Sequence, residues 1–240
     1  MKINQKIWSL GILAVVIVAI AGVGTYYVSR ARTWQLFGNL YWRVDTEEKV
    51  VALTFDDAPS KYVDEVLAEL QKQDVKATFY VVGAGLEKDP EIGKSIVAAG
   101  HELGNHSYSH KRFVFKSQEY IDEEISKTNE LIKVAGYTGE ITFRPPNGKK
   151  LFGLPWYLYR HQIKTVMWDV EPDTKYAGDV EKIIASTLEE TRPGSIVLLH
   201  PFCGQECAAD REALPKIISG LKERGYRFVT INELIKYNNI

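Results

Sequence analysis

Two kinds of apolar run alternate along the chain. Short runs rich in β-branched and aromatic residues, KVVALTF, KATFYVV, IKTVMW and GSIVLLH, read as strands buried on both faces. Longer stretches with apolar residues at helical spacing come between them: KYVDEVLAELQKQ, PEIGKSIVAAG, GDVEKIIASTLEET and REALPKIISGLKERG. HELGNHS before SQEYIDEEISKTNELIKVAG repeats the order, and YRFVTINELIKY closes the chain. About seven strand-then-helix units predict an α/β fold with a parallel sheet under helices. The first of these strands is expected over residues 50–55, ending in an acidic turn. Polar punctuation follows the strands, in DDAPS, NHSYSH, RPPNG, WDVEPD and LLHPFCG, which favours a barrel whose strand ends share one active face.

The N-terminus breaks this pattern. Residues 7–28 carry no charged side chain, follow Lys2 and Lys6, and match the ~20 residues that span a bilayer. The run is longer than a signal-peptide core and lacks a clear cleavage site, so an uncleaved anchor is favoured over a processed signal. Arg30 and Arg32 beyond it weaken the charge asymmetry. The expected organisation is an anchor over 1–28, a linker over 29–44 and a globular domain over 45–240 lying outside the cytoplasm, secreted if the segment is cleaved.

Composition adds little but excludes something. With 45% hydrophobic and 25% charged residues in 240, one sizeable core is expected. A net charge of -1 offers no basic field for nucleic acid. Cys203 and Cys207 form either a local disulfide or a pair of free thiols.

The candidate chemistry starts from HELGNHSYSH, which holds His101, His106 and His110. His106 and His110 are four apart, so on a helical turn both imidazoles face one way and can share an ion. His101 and Glu102 do not complete an H-E-x-x-H zincin motif, because the next histidine lies five residues on from His101. Asp56 and Asp57 end a buried strand on the expected active face, where neighbouring side chains diverge and one acid can ligate while the other serves as a base.

TFDDAP, HSYSH, RPPNG and IVLLH, in this order and spacing, resemble the polysaccharide deacetylases with NodB homology, carbohydrate esterase family 4. The resemblance covers roughly residues 50–237. It implies an irregular (β/α)7-type barrel and a divalent ion, zinc first with cobalt, manganese or nickel as alternatives. The ion would be held by Asp57, His106 and His110, with Asp56 as the base that activates water. It further implies that Arg144 orients and tunes Asp56, that the Asn147 backbone N–H holds the oxyanion, and that His200 protonates the leaving amine. Leu198 would line the acetyl pocket, and Trp168 is a candidate wall of the sugar site. The implied partner is an acetylated polysaccharide, N-acetylated before O-acetylated, with peptidoglycan first; a monomer is expected.

Two departures stand out. DDAP replaces the family's usual DDGP, which costs about 1 kcal/mol if position 58 is left-handed. WDVEPDTKYAG replaces a D-x-x-D-W segment, so the acid that pairs with His200 is open among Asp169, Glu171 and Asp173. A silent glycan-binding module of the same fold is the alternative function. A glycosidase is disfavoured, because adjacent acids cannot flank a bond at ~5 Å or more.

Overall fold

The strand β2, Val50–Ala58, organises the molecule, and its alternation decides what each face becomes. Val51, Leu53 and Phe55 point into one core with Phe79, Leu199 and Phe202, under the helices Val63–Lys72 and Ala208–Glu223. Val50 and Ala52 face a second core with Tyr80, Val166, Met167, Trp168 and Leu198. Both faces are dry, as the unbroken apolar run anticipates. Full burial of Leu53 or Phe55 contributes about 1.5–3 kcal/mol each.

Six further strands surround it: β1 Leu40–Tyr41, β3 Thr78–Val81, β4 Glu102–Asn105, β5 Thr165–Val166, β6 Ile196–Leu199 and β7 Arg227–Val229. In this computed structural model, which describes residues 5–238, they form two parallel sheets. One has the order β4-β3-β2-β6, with β7 also on β2; the other is β1-β5. The ladders therefore do not establish the closed barrel expected from sequence. Single bridges through Phe143, to Asn105 and to Thr165, and between Val170 and Val197, link the two sheets.

Residues 29–44, read from sequence as a linker, are packed. They contribute β1, set Phe37 edge-on to Phe152 and Trp156 at 5.2 and 5.1 Å, and bury Val44 completely. Gly194, at φ +78°, receives Val44 so closely that a Cβ there would lie 1.9 Å from the Val44 carbonyl oxygen. Upstream runs the helix Gln5–Arg30, of which Trp8–Arg30 is long and apolar enough to cross a membrane by length and composition. Residues 1–4, including Lys2, lie outside the described residues.

Candidate active site

The even-numbered face of β2 continues from Ala52 through Thr54 to Asp56, so its apolar interior turns polar at its C-terminal end. Arg144, wholly buried, fills that change. Its Nη1 donates to Thr54 Oγ1 at 2.9 Å and Asp56 Oδ1 at 2.7 Å, its Nη2 donates to the Met167 carbonyl at 3.1 Å, and its guanidinium stacks 4.0 Å over Tyr80. Burial by itself pushes the Asp56 carboxyl up. Arg144, His106 and His200 outweigh it and hold the group below the ordinary carboxylate range. Asp56 is thus an ionised, buried carboxylate with Oδ2 facing His106 Nε2 at 3.5 Å.

Asp57 diverges from Asp56 through a register shift between Phe55 and Ala58, and sits at φ 64°. The strained position is Asp57, at about 1–2 kcal/mol, and Ala58 is not left-handed, so the cost anticipated at position 58 does not arise. The strand also runs through the acids to Ala58, beyond the end at residue 55 expected from sequence.

The two histidines do not lie on a helical turn. Ser107 and His110 adopt φ of 68° and 55°, and the loop is held by side chains both within and beyond it. Asn105 Oδ1 accepts from the Ser107 N–H at 2.7 Å, Ser107 Oγ accepts from the His110 N–H at 3.0 Å, and buried Glu124 accepts from the Tyr108 and Ser109 N–H groups. His106 Nδ1 pairs with the Arg144 carbonyl at 2.8 Å, which leaves Nε2 directed at the acids. Asp57 Oδ1 lies 3.2 Å from His110 Nε2 and 3.8 Å from His106 Nε2, and it is buried with no hydrogen-bond partner among the described residues. The ligand atoms of Asp57, His106 and His110 all fall within 4.8 Å of one another. An orphaned carboxylate oxygen facing two imidazole nitrogens fits a divalent ion. His101, the third histidine of the run, accepts from the Ala77 N–H, and burial lowers it to about 4, so its role is structural.

Parallel pairing of Phe55 with Leu199 brings the next residues of β2 and β6, Asp56 and His200, to the same end of the sheet. These side chains line a cavity of about 560 Å³ with Asp57, His106 and His110. The family model for polysaccharide deacetylase matches residues 43–166. A peptidoglycan-N-acetylglucosamine deacetylase of Bacillus cereus is 32% identical over 205 residues, covering 84% of this chain and 95% of its own. The chain belongs to the polysaccharide deacetylase family.

Solved structures agree with this deacetylase in fold. A peptidoglycan N-acetylglucosamine deacetylase in complex with 4-naphthalen-1-yl-N-oxidanyl-benzamide superposes with a TM-score of 0.78 at 32% identity, over 82% of this chain and 92% of its own. A family 4 pseudoenzyme from Bacillus anthracis gives 0.76 at 32% identity, over 85% and 72%.

Among the three acids left open, Asp173 meets His200. Its Oδ2 accepts from both Nδ1, at 2.9 Å, and the His200 backbone N–H, at 2.7 Å. Asp169 is turned to Ser195 and the Ile196 N–H, while Glu171 takes hydrogen bonds from Arg32, Trp168 and Thr174. Burial pulls the His200 imidazole down, but Asp173, with Asp56 and Asp57, raises it to about 9. His200 is therefore a cation at neutral pH, with a proton to give.

Asn147, at φ 55°, and Trp168 line the cavity. Leu198 instead packs in the second core, 1% exposed. Sequence reasoning missed Asp210, a buried acid beside Asp173 that burial and that neighbour push up to about 7. Its only signal is an acid on the apolar side of the helix Ala208–Glu223. Cys203 and Cys207 are joined as a disulfide, Cα atoms 5.3 Å apart.

Proposed function

We propose that this deacetylase removes acetyl groups from the N-acetylated sugars of an extracytoplasmic polysaccharide, peptidoglycan first, and depends on a divalent ion, zinc before cobalt, manganese or nickel. One observation carries the reading: Asp57 Oδ1 is orphaned between two histidine nitrogens, while adjacent Asp56 is kept ionised by buried Arg144. Asp57, His106 and His110 are the ligands. Bound there, a divalent ion would supply Lewis acidity toward a carbonyl oxygen and would lower the pKa of a water at neutral pH.

This chain's own residues do the rest. Asp56 takes the proton of the attacking water through Oδ2, with Oδ1 fixed by Arg144. The Asn147 N–H donates to the oxyanion as the carbonyl carbon becomes tetrahedral. As the amide C–N bond breaks, His200 gives its proton to the departing sugar amine, oriented by Asp173. The products are acetate and a free amine. Trp168, its Nε1 bound to Glu171, walls the sugar site. Leu198, in the second core with Trp168, lies beneath the acetyl pocket.

The apolar N-terminal helix and relatives named for peptidoglycan support an uncleaved anchor and a domain facing the cell wall. The single bridges through Phe143 and Val170 support reading the two sheets as one irregular barrel, and the contacts of residues 29–44 support counting them with the catalytic domain. Acetate release by the full chain in detergent, from acetylated peptidoglycan and from chitooligosaccharides, tests the activity. No release from any acetylated glycan would leave the silent glycan-binding module, a reading that the pseudoenzyme neighbour keeps in play.

A further inference from the structure

The cavity's charges do not balance once each is assigned its partner. Asp56 is matched by Arg144, Glu171 by Arg32 at 2.8 Å, and His200 by Asp173, while Asp57 belongs with the two histidines. Three lining cations remain, Arg30, Arg112 and Lys149, and none is salt-bridged to a carboxylate among the described residues. They come from three separate segments: the end of the N-terminal helix, the turn after His110, and the loop after Asn147.

Arg30 is held there by the fold. Lys150, 1% exposed, donates its backbone N–H to the Ser29 carbonyl at 3.1 Å and its ammonium to the Ala31 carbonyl, which clamps the chain on both sides of Arg30 to the RPPNG loop. The Lys149 ammonium is lowered by burial, and then by Arg30, Arg112 and Arg32, so the cations crowd one space. Unpaired like charges repel, and gathering them on the rim of one cavity is unfavourable unless an anion joins them.

We infer that Arg30, Arg112 and Lys149 form an anion subsite at the rim of the deacetylase cavity, which takes a carboxylate or phosphate carried by the acetylated glycan. This rests on the deacetylase reading and adds to it a substrate class: an anionic saccharide, presented to a cavity whose edge is the end of the membrane helix.

The test uses the full chain in detergent, loaded with zinc, on N-acetylglucosamine oligomers of one length in three forms: neutral, bearing an ether-linked lactyl carboxylate, and bearing a phosphate monoester. Wild type favours at least one anionic form over the neutral one in kcat/KM by about tenfold, and the preference fades with salt. The triple variant Arg30→Gln, Arg112→Gln, Lys149→Gln loses that preference, and the two anionic arms say which group is read. A wild type without preference, or a preference that survives the triple variant, overturns the inference. So does a variant altered only in its sedimentation with phosphatidylglycerol vesicles, which would assign the cations to lipid headgroups. If no oligomer yields acetate, calorimetric dissociation constants for the same three forms still decide the point, so failure of the subsite and failure of the deacetylase reading remain distinct.

Discussion

Arg144 and Asp56 show how one buried pair sets the chemistry of its neighbours. The guanidinium has no solvent contact, so its charge is spent on Asp56, Thr54 and the Met167 carbonyl. Asp56→Asn keeps the shape and removes the acceptor, and acetate release should fall by about 10²–10⁴-fold, read as kcat on acetylated peptidoglycan. His200 gives a pH test. An acid with its pKa raised from 6.5 to about 9 is active below that value, and activity is lost as pH rises through it. Asp173→Asn removes the charge that raises it, so the alkaline limb of the rate profile moves to lower pH. A limb that stays in place would remove His200 from the role of acid. At this scale the grouping of Asp56, Asp57, His106, His110, Arg144 and His200 was legible as a candidate site, because strand ends and spaced motifs are local signals, and the structure brings these residues together. The partner of His200 stayed open, because Asp173 reaches it only through the short helix Pro172–Lys175.

Elements succeed or fail as sequence signals by length and burial. β2, β3 and β6 are apolar runs with helices behind them, and were legible. β5 lies within the apolar run IKTVMW, whereas β1 is only two residues and Phe143 makes isolated bridges, too short to stand out from loops. The HSYSH loop was legible as chemistry but not as geometry, since its left-handed residues depend on Asn105 and Glu124. Glu124→Ala touches no ligand, yet should weaken zinc binding about 10–100-fold by titration against a competing chelator. The buried start of β4 offers a stability test. Burial raises Glu102 from 4.5 to about 7, so its contribution is present below pH 4.5 and is lost as pH rises to about 7. Melting temperatures of wild type and Glu102→Gln should diverge between pH 5 and 8, with the variant keeping more of its stability at pH 8. Parallel curves would contradict the raised carboxyl.

At the scale of the whole molecule, the long apolar helix and the loop that lines the cavity are joined without slack. Ser29 and Ala31 accept the hydrogen bonds of buried Lys150, which burial lowers to about 8. A chain beginning at residue 33 strands that ammonium and should melt at a lower temperature than the full chain, by differential scanning in the same detergent. Hydropathy disclosed the helix, but neither the division of the interior into separate clusters nor this docking, because a polar stretch between two apolar regions looks like a linker whether or not it is clamped.

In the function proposed, Asp57, His106 and His110 hold one divalent ion on which deacetylation depends. This is tested most directly by stripping the full chain with chelator and titrating zinc back, following bound metal and acetate release from acetylated peptidoglycan together. Both should rise in parallel and level off at about one equivalent, as a three-ligand hydrolytic site requires, and Asp57→Asn should abolish both. Acetate release that persists in the stripped chain, or zinc bound as tightly by Asp57→Asn as by wild type, would contradict this proposal.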